Sequence, residues 1–403
     1  MGASPKSAGA DGKPSMRIVV CCFYEAYPPI SGAASVTYNV AKFLSGEKLL
    51  IQIGAEPATI ETADGLRIET LAGASENKFR KVTSLPSRVR ALVNEILRFR
   101  PDFVMLEGAS WAMYHWMLLR GLRRAMSNVP IVYHAHNVEY ALRRARNSRA
   151  IAAITRRAEG RLLADCDLAT AVSEVDQALF RELYNVETEL FPNGVDVARF
   201  ASVTPDQVAQ VRSKYGIGNS AIIFSGLYAY PPNRVAVDFL IRDVMPRLLA
   251  HAPEAQLVVT GGDMPCREPC LITPGIVLHD ELPALLASCG VAAVPIFSGS
   301  GTRLKILEAM AAGVAVVSTS KGAEGLPFHH GEHLLIADDA DAFVEGLRHA
   351  ITESSLRDLL TARAKDVVRQ QFDWPVIVRA IDHTLHYGDR HGRAATNRAR
   401  VAG

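Results

Sequence analysis

Between Phe297 and Met310 the chain reads Phe-Ser-Gly-Ser-Gly-Thr-Arg-Leu-Lys-Ile-Leu-Glu-Ala-Met. A Gly/Ser loop, Gly299-Ser300-Gly301-Thr302, separates a short apolar strand from a helix. Gly299 and Gly301 let backbone approach a ligand closely. The free N–H groups of a first helical turn, backed by the helix dipole, favour an anion. Arg303 and Lys305 add positive charge for phosphate oxygens. Glu308 lies three residues after Lys305, on the same helix face. A carboxylate one turn beyond a diphosphate is placed to accept two ribose hydroxyls. The plain alternative is a surface ion pair beside a glycine-rich turn. The loop's position at a strand's carboxyl end favours the ligand.

A second set of candidates lies earlier in the chain. His136 follows the strand Pro130–His134, and neutral imidazole can donate or accept a hydrogen bond there. His134 reads as a packing or supporting residue. Asn137 and Glu139 border the same place, and Glu139 could bind an acceptor or cap the Arg-rich helix that follows. Pro28–Ala34 joins the first strand to the first helix, and the Gly32 and Ala33 amides could face a ligand. Two Asp-x-Asp triplets, Asp165-Cys166-Asp167 and Asp339-Ala340-Asp341, have metal-ligand spacing, but one precedes a strand and the other opens a helix, so both read as structural. Cys266-x3-Cys270 lacks a second ligand pair. Cys21 and Cys22 sit in an apolar run and read as core.

The elements that must hold these residues alternate. Strands are expected at Arg17–Phe23, Asp102–Leu106, Pro130–His134, Leu168–Val172 and Glu187–Phe191, with helices such as Leu85–Phe99 and Trp111–Met126 between them. Glu61–Leu71 reads as a hairpin turning at Asp64-Gly65. After Pro192-Asn193-Gly194 the pattern restarts, with strands at Ala221–Phe224, Gln256–Thr260, Gly275–Leu278, Val291–Pro295 and Val314–Ser318. The cleanest helix, Thr302–Ala312, stops before Gly313. The βαβα order predicts an α/β protein with parallel sheets in two Rossmann-like domains that face each other across a cleft. The expected divisions are a flexible tail at 1–15, an N-terminal domain at 16–195, a C-terminal domain at 196–370, a helix at 371–388 crossing back to the N-domain, and a basic tail at 389–403.

The 403 residues carry 44 Lys+Arg and 42 Asp+Glu, and 49% are hydrophobic. That balance excludes a disordered chain and gives no global pull toward a polyanion. Charge is nevertheless uneven: residues 78–161 hold 17 Lys/Arg and five Asp/Glu. The segment from Tyr140 to Leu163 carries Arg143, Arg144, Arg146, Arg149, Arg156, Arg157 and Arg161, with Ile151, Ile154, Ala158 and Leu162 at helical spacing. Such a helix suits an anionic membrane surface, or is an ordinary solvated face. Nucleic acid is not expected, because aromatics are few and no nucleic-acid fold fits this order. The first fifteen residues lack the apolar run of a secretion signal, so a cytoplasmic, peripheral location is expected.

The segment Ser300–Ser318 resembles the donor-site signature of retaining glycosyltransferases of family 4, on the GT-B fold. His134-Ala135-His136-Asn137-Val138-Glu139, Ala171-Val172-Ser173-Glu174, Phe191–Asp196, Phe224-Ser225-Gly226 and Pro232-Asn233 match other landmarks in family order, over roughly residues 16–388. The resemblance implies a sugar nucleotide, such as a UDP- or GDP-hexose, held mainly by the C-terminal domain, with Gly226, Asn233, Gly299, Ser300, Gly301, Thr302 and Glu308 around it. Glu308 matches the second Glu of the family's Glu-x7-Glu. The first falls on Ser300. The Arg and Lys that many members place after the first C-domain strand are absent, and Arg303 and Lys305 would supply that charge. His136 matches the active-site His.

The implied activity is metal-independent transfer of a hexose, with retention, to a glycan or polyprenyl-diphosphate-linked acceptor of cell-surface polysaccharide synthesis. A nucleotide-sugar epimerase or hydrolase and a non-catalytic sugar-nucleotide-binding protein are the alternatives. No cofactor is expected.

Overall fold

The computed structural model describes residues 16–73, 84–108, 111–146, 148–262, 264, 268–299 and 303–387. The expected tails, Cys266, and Ser300, Gly301 and Thr302 lie outside the described residues. The chain forms two compact units, Met1–Pro192 with Val378–Gly403, and Asn193–Ile377.

Unit 1 is built on an eight-stranded sheet: β1 (Arg17–Cys21), β2 (Glu47–Gly54), β3 (Ala58–Glu61), β4 (Arg67–Ala72), β5 (Phe103–Gly108), β6 (Ile131–Ala135), β7 (Leu168–Ala171) and β8 (Glu189–Leu190), in spatial order β3-β4-β2-β1-β5-β6-β7-β8. All neighbours are parallel except β3 and β4, which form the expected hairpin. β1, β5 and β6 are near-continuous apolar runs because helices cover both of their faces. Cys21 and Cys22 are fully buried. β2 was not expected as a strand. Its Gln52 is buried, accepts from the amides of Ala26 and Tyr27 at 2.8 Å each, and so ties down the loop after β1.

Unit 2 holds a six-stranded, all-parallel sheet: β9 (Ala221–Phe224), β10 (Gln256–Thr260), β11 (Leu271–Gly275), β12 (Val291–Val294), β13 (Ala315–Ser318) and β14 (Leu335–Ile336), ordered β11-β10-β9-β12-β13-β14. The strand expected at Gly275–Leu278 ends where that prediction begins. Ile276 and Leu278 are exposed beyond its edge, so their apolar character marks no core. Asn193–Asp196 belongs to unit 2: the Val195 amide donates to the Phe372 carbonyl at 2.8 Å. The helix Trp374–Tyr387 runs past Ile377 into residues that group with unit 1, where Asp382 accepts from the Ser45 hydroxyl at 2.6 Å.

In both sheets strand order reverses beside the first strand, β1 in unit 1 and β9 in unit 2, and in open α/β sheets ligands bind at the carboxyl ends there. The candidate residues follow those ends.

The Arg-rich segment is two helices, Glu139–Arg146 and Arg149–Asp165, the second capped by the Ser148 hydroxyl. The residues noted at helical spacing, Ile151, Ile154, Ala158 and Leu162, divide between solvent and core. Ala158 and Leu162 are buried with Ala152, Thr155 and Glu159, whereas Ile151 and Ile154 are exposed. Glu159 occupies the inner face with Ala152 and Thr155. Its carboxylate accepts from the amides of Glu139 (2.7 Å) and Tyr140 (3.0 Å) and from the Tyr184 hydroxyl (2.5 Å). It thus caps the preceding helix from outside, two residues after Asn137. Burial pushes its carboxyl up to about 7, against those three donors.

Replacing Glu159 with Ala strands three donors and should destabilise unit 1 by about 3 kcal/mol. Glu159→Gln, which keeps one acceptor, should cost roughly half that. Denaturant unfolding gives the sizes, and faster amide exchange at Glu139 and Tyr140 would localise the effect.

Candidate functional site

In unit 2 the site residues converge from two strand ends. β9 ends at Phe224, and Gly226 follows with φ +145°. A Cβ at Gly226 would lie 2.8 Å from Asn233 Nδ2 and 2.9 Å from Lys305 Nζ, so only glycine leaves these two in place. Asn233 lies in the first turn of the helix Pro231–Phe239. Its amide nitrogen donates to the Leu227 carbonyl at 2.9 Å, and its oxygen accepts from Lys305 Nζ at 2.9 Å.

Lys305 comes from the helix Leu304–Ala312 after β12, which ends at Gly313 in the left-handed conformation as expected. Its ammonium also sits 3.8 Å from the centre of the Phe224 ring. Burial, and then the charge of Arg303, bring its pKa down to about 7, with Glu308 opposing. Burial pushes Glu308 above the usual carboxylate range, while Arg199 and Lys305 pull it down. Gly226, Asn233, Lys305 and Glu308 are therefore one cluster.

Arg303 is placed differently from the sequence reading. Its guanidinium turns back onto the Gly299 carbonyl at 2.9 Å and that of Ser298 at 3.4 Å. It braces the loop on which Gly299 sits with φ +103°. Its charge still reaches Lys305.

Arg199 was missed. It follows the Asn193-Gly194-Val195-Asp196 turn, donates to the His279 carbonyl at 2.9 Å, and its charge acts on Glu308 more than 100 positions later in sequence. No local pattern signals that relation. Asp196 caps its short helix.

In unit 1 the cluster centres on Glu107, which sequence reasoning also missed. The β5–β6 register pairs Glu107 with His134, so both side chains share a face with His136 two residues on. His136 Nε2 lies 2.6 Å from Glu107 Oε2, and His134 Nδ1 lies 3.1 Å from Oε1. The Thr37 hydroxyl donates to Oε2 at 3.1 Å. His115 Nε2 reaches the Glu107 carbonyl at 2.9 Å. Burial would raise the Glu107 carboxyl, but the charge and hydrogen bonds of His134 and His136 outweigh it and hold it below the usual range. Burial lowers His136, against Glu107, and brings His115 down to about 4.

Glu107, His134 and His136 have donor atoms within 4.8 Å of one another, a set that invites a metal reading. Two donors of one tetrahedral zinc stand about 3.3 Å apart at ordinary bond lengths. The 2.6 Å between His136 and Glu107 is a hydrogen bond instead. The two Asp-x-Asp triplets are engaged locally: Asp339 caps its helix, and Asp167 accepts from the Ile131 amide and pairs with Arg123.

Asn137 is partly buried beside His136. Glu139 is buried and accepts from Arg143 at 3.2 Å, so it is held within its helix. Ser31 caps the helix Gly32–Phe43 by accepting from the Ala34 amide, which leaves the Gly32 and Ala33 amides outside that helix's own ladder.

A lysine whose folded pKa is lowered binds fewer protons folded than unfolded between about 7 and 10.5, so stability rises with pH across that window. Lys305→Met should therefore be more stable than wild type at pH 6, with the gap closing toward pH 10. Thermal unfolding of both proteins across that range checks it, and a gap constant with pH would refute the buried cation.

The family described as Glycosyltransferase Family 4 matches residues 30–199, and that described as Glycosyl transferases group 1 matches residues 219–353. A phosphatidyl-myo-inositol mannosyltransferase of Mycolicibacterium smegmatis is 29% identical over 217 residues, 51% of this chain and 54% of the relative. The chain thus spans about half the length of the curated relatives it matches. Among solved structures, sucrose-phosphate synthase of Thermosynechococcus elongatus superposes with a TM-score of 0.74 at 16% identity, over 92% of this chain and 98% of the other. Anabaena HepE, solved with UDP-glucose, gives 0.69 at 16% identity over 92% and 99%. With both family matches lying on two parallel-sheet α/β units, the chain belongs to the group 1, family 4 glycosyltransferases of the GT-B fold.

Proposed function

We propose that the chain is a retaining glycosyltransferase that moves a hexose from a nucleoside-diphosphate sugar to a lipid-linked glycan acceptor in cell-surface glycolipid or polysaccharide synthesis, without an essential metal. The observation that carries this reading is the cluster of Gly226, Asn233, Lys305 and Glu308 after β9 and β12. A diphosphate seated there gains a cation that is partly withdrawn from water, and a glycine flanks it. Glu308 is left to accept ribose hydroxyls. Gly299 lies at the phosphate end, and Lys305, with the field of Arg303, stabilises the leaving diphosphate in place of a metal ion. His136, with Asn137 and Glu139 beside it, serves the sugar and acceptor end, together with the Gly32 and Ala33 amides.

HepE was solved with UDP-glucose, which supports a nucleotide-sugar donor, UDP- or GDP-linked. The mycobacterial relative is named for a phosphoinositide acceptor, which supports an acceptor bearing lipid and phosphate. The surface of the helix Arg149–Asp165 suits such an acceptor. Ile154, Arg157 and Arg161, at positions i, i+3 and i+7, are all exposed on one face, with Ile151 exposed a turn earlier. An apolar side chain among arginines is the composition of an interfacial helix at an anionic membrane. No helix among the described residues is long and apolar enough to cross a membrane. A peripheral position on the cytoplasmic leaflet follows from this reading.

A thermal-shift and calorimetric panel of UDP, GDP, ADP and their hexoses, with EDTA present, tests the donor site. One nucleotide family should stabilise the protein, and Lys305→Ala and Glu308→Ala should each weaken its binding by about 10- to 100-fold while leaving the fold intact. Unchanged affinity in both variants would sink the site. Vesicles containing phosphatidylglycerol should retain the wild type and lose an Arg157→Glu/Arg161→Glu variant. The anomeric configuration of the product, read by NMR, decides retention.

A further inference from the structure

Glu107, Thr37, His134 and His115 are sealed from solvent, with at most 1% of each exposed, whereas His136 keeps 8%. The buried hydrogen bonds therefore lead out to an imidazole that reaches the surface. We propose that Glu107 is a positioning residue that fixes His136 as the Nε2–H tautomer, leaving Nδ1 as a hydrogen-bond acceptor for a sugar hydroxyl. This rests on the reading of His136 as a residue of the sugar site.

The assignment follows from counting donors and acceptors. An ionised carboxylate only accepts. Three groups converge on Glu107: the Thr37 hydroxyl at 3.1 Å, His134 Nδ1 at 3.1 Å and His136 Nε2 at 2.6 Å. All three are satisfied together if each donates. A proton on Glu107 would force one of them to reverse. Thr37 can donate inward without losing its other partner. Its oxygen lies 2.6 Å from the Tyr24 hydroxyl, and with the Thr37 proton committed to Glu107 the Tyr24 proton points at Thr37. Each histidine then carries a proton on the nitrogen facing Glu107, and burial, which lowers His136, disfavours a second proton on its Nδ1. The neighbouring His115 meets Glu107 at its backbone carbonyl, and burial keeps it neutral, so it adds no competing charge.

The energetics point the same way. A buried carboxylate is expensive even with two imidazoles beside it, and a leucine would fill the space more cheaply. What the carboxylate adds is a defined proton position on a ring that meets the surface. His134, on the same carboxylate, steadies it from the far side.

The test pairs ¹⁵N NMR of histidine-labelled protein with kinetics. In wild type, His136 should show a protonated Nε2 and an unprotonated Nδ1. Glu107→Leu removes the acceptor, so this signature should be lost, and kcat for the nucleotide sugar chosen by the panel above should fall by up to about 10⁴-fold, the size seen when a catalytic histidine is held in the wrong tautomer. Donor affinity should change less than threefold. Glu107→Gln, a milder change should Glu107→Leu misfold, should lose activity in proportion to the lost Nε2–H population, since its amide can face His136 with either end. Adding Glu107→Leu to His136→Ala should cause no further loss, because Glu107 acts through His136. Retention of the Nε2–H signature without Glu107, or full additivity in the double variant, would overturn the proposal. If the wild type transfers no sugar, the proposed function falls on its own, and the NMR signature still decides whether Glu107 sets the tautomer.

Discussion

A carboxylate sealed inside unit 1 orders the end of its sheet. Glu107 lies next to the end of β5 and is bonded at once to α-helical Thr37, to His134 and His136 on and after β6, and through its carbonyl to His115. A buried charge cannot be left without partners, so these segments have little freedom relative to one another. The constraint extends outward. His136 leads directly into Asn137 and Glu139, and Glu159 then holds the start of the next helix by its first two amides. Two buried carboxylates thus define the path of the chain from the strand to the basic helix.

Unit 2 uses the opposite charge. Lys305 is drawn against Phe224 and Asn233 beneath a glycine, where burial weakens its hold on a proton. A cation in that condition gains more from an incoming phosphate than a hydrated surface lysine does, since less solvation is lost on contact. Glu308 stands one turn further along, between Lys305 and Arg199. The site is poised electrostatically before any ligand arrives, and its charge is concentrated in one side chain rather than spread over an Arg/Lys pair. Arg303, which by sequence position looked like a second phosphate ligand, works as a brace for the glycine loop.

The basic helix shows how burial, not composition, decides which residues face outward. Ile151 and Ile154 look like core residues because their spacing continues to Ala158 and Leu162. The space on the inner face is taken by Ala152, Thr155 and Glu159, and the isoleucines are left among arginines. Apolar side chains thereby become part of an exposed basic surface.

The amino-acid sequence by itself determined the alternation of strands and helices, the two-unit organisation, the turn at Gly313 and the pairing of Lys305 with Glu308 on one helix face, while Gly226 and Asn233 joined them through the resemblance to family 4 glycosyltransferases. These depend on periodicity, on turn chemistry and on motif order, all of which are local or nearly so. Two strands escaped for local reasons. β2 opens on Glu47-Lys48 and carries Gln52 within it, and Ile276 and Leu278 drew the expected β11 past its true end. The partners of Glu107, the inward turn of Arg303, the action of Arg199 on Glu308 and the capping by Glu159 were decided only by the tertiary structure. Each joins residues that neither a helix nor a strand repeat brings together. The β5–β6 register aligns Glu107 with His134 across 27 positions, and only that alignment turns an acidic residue at the end of an apolar strand into the group that holds His136.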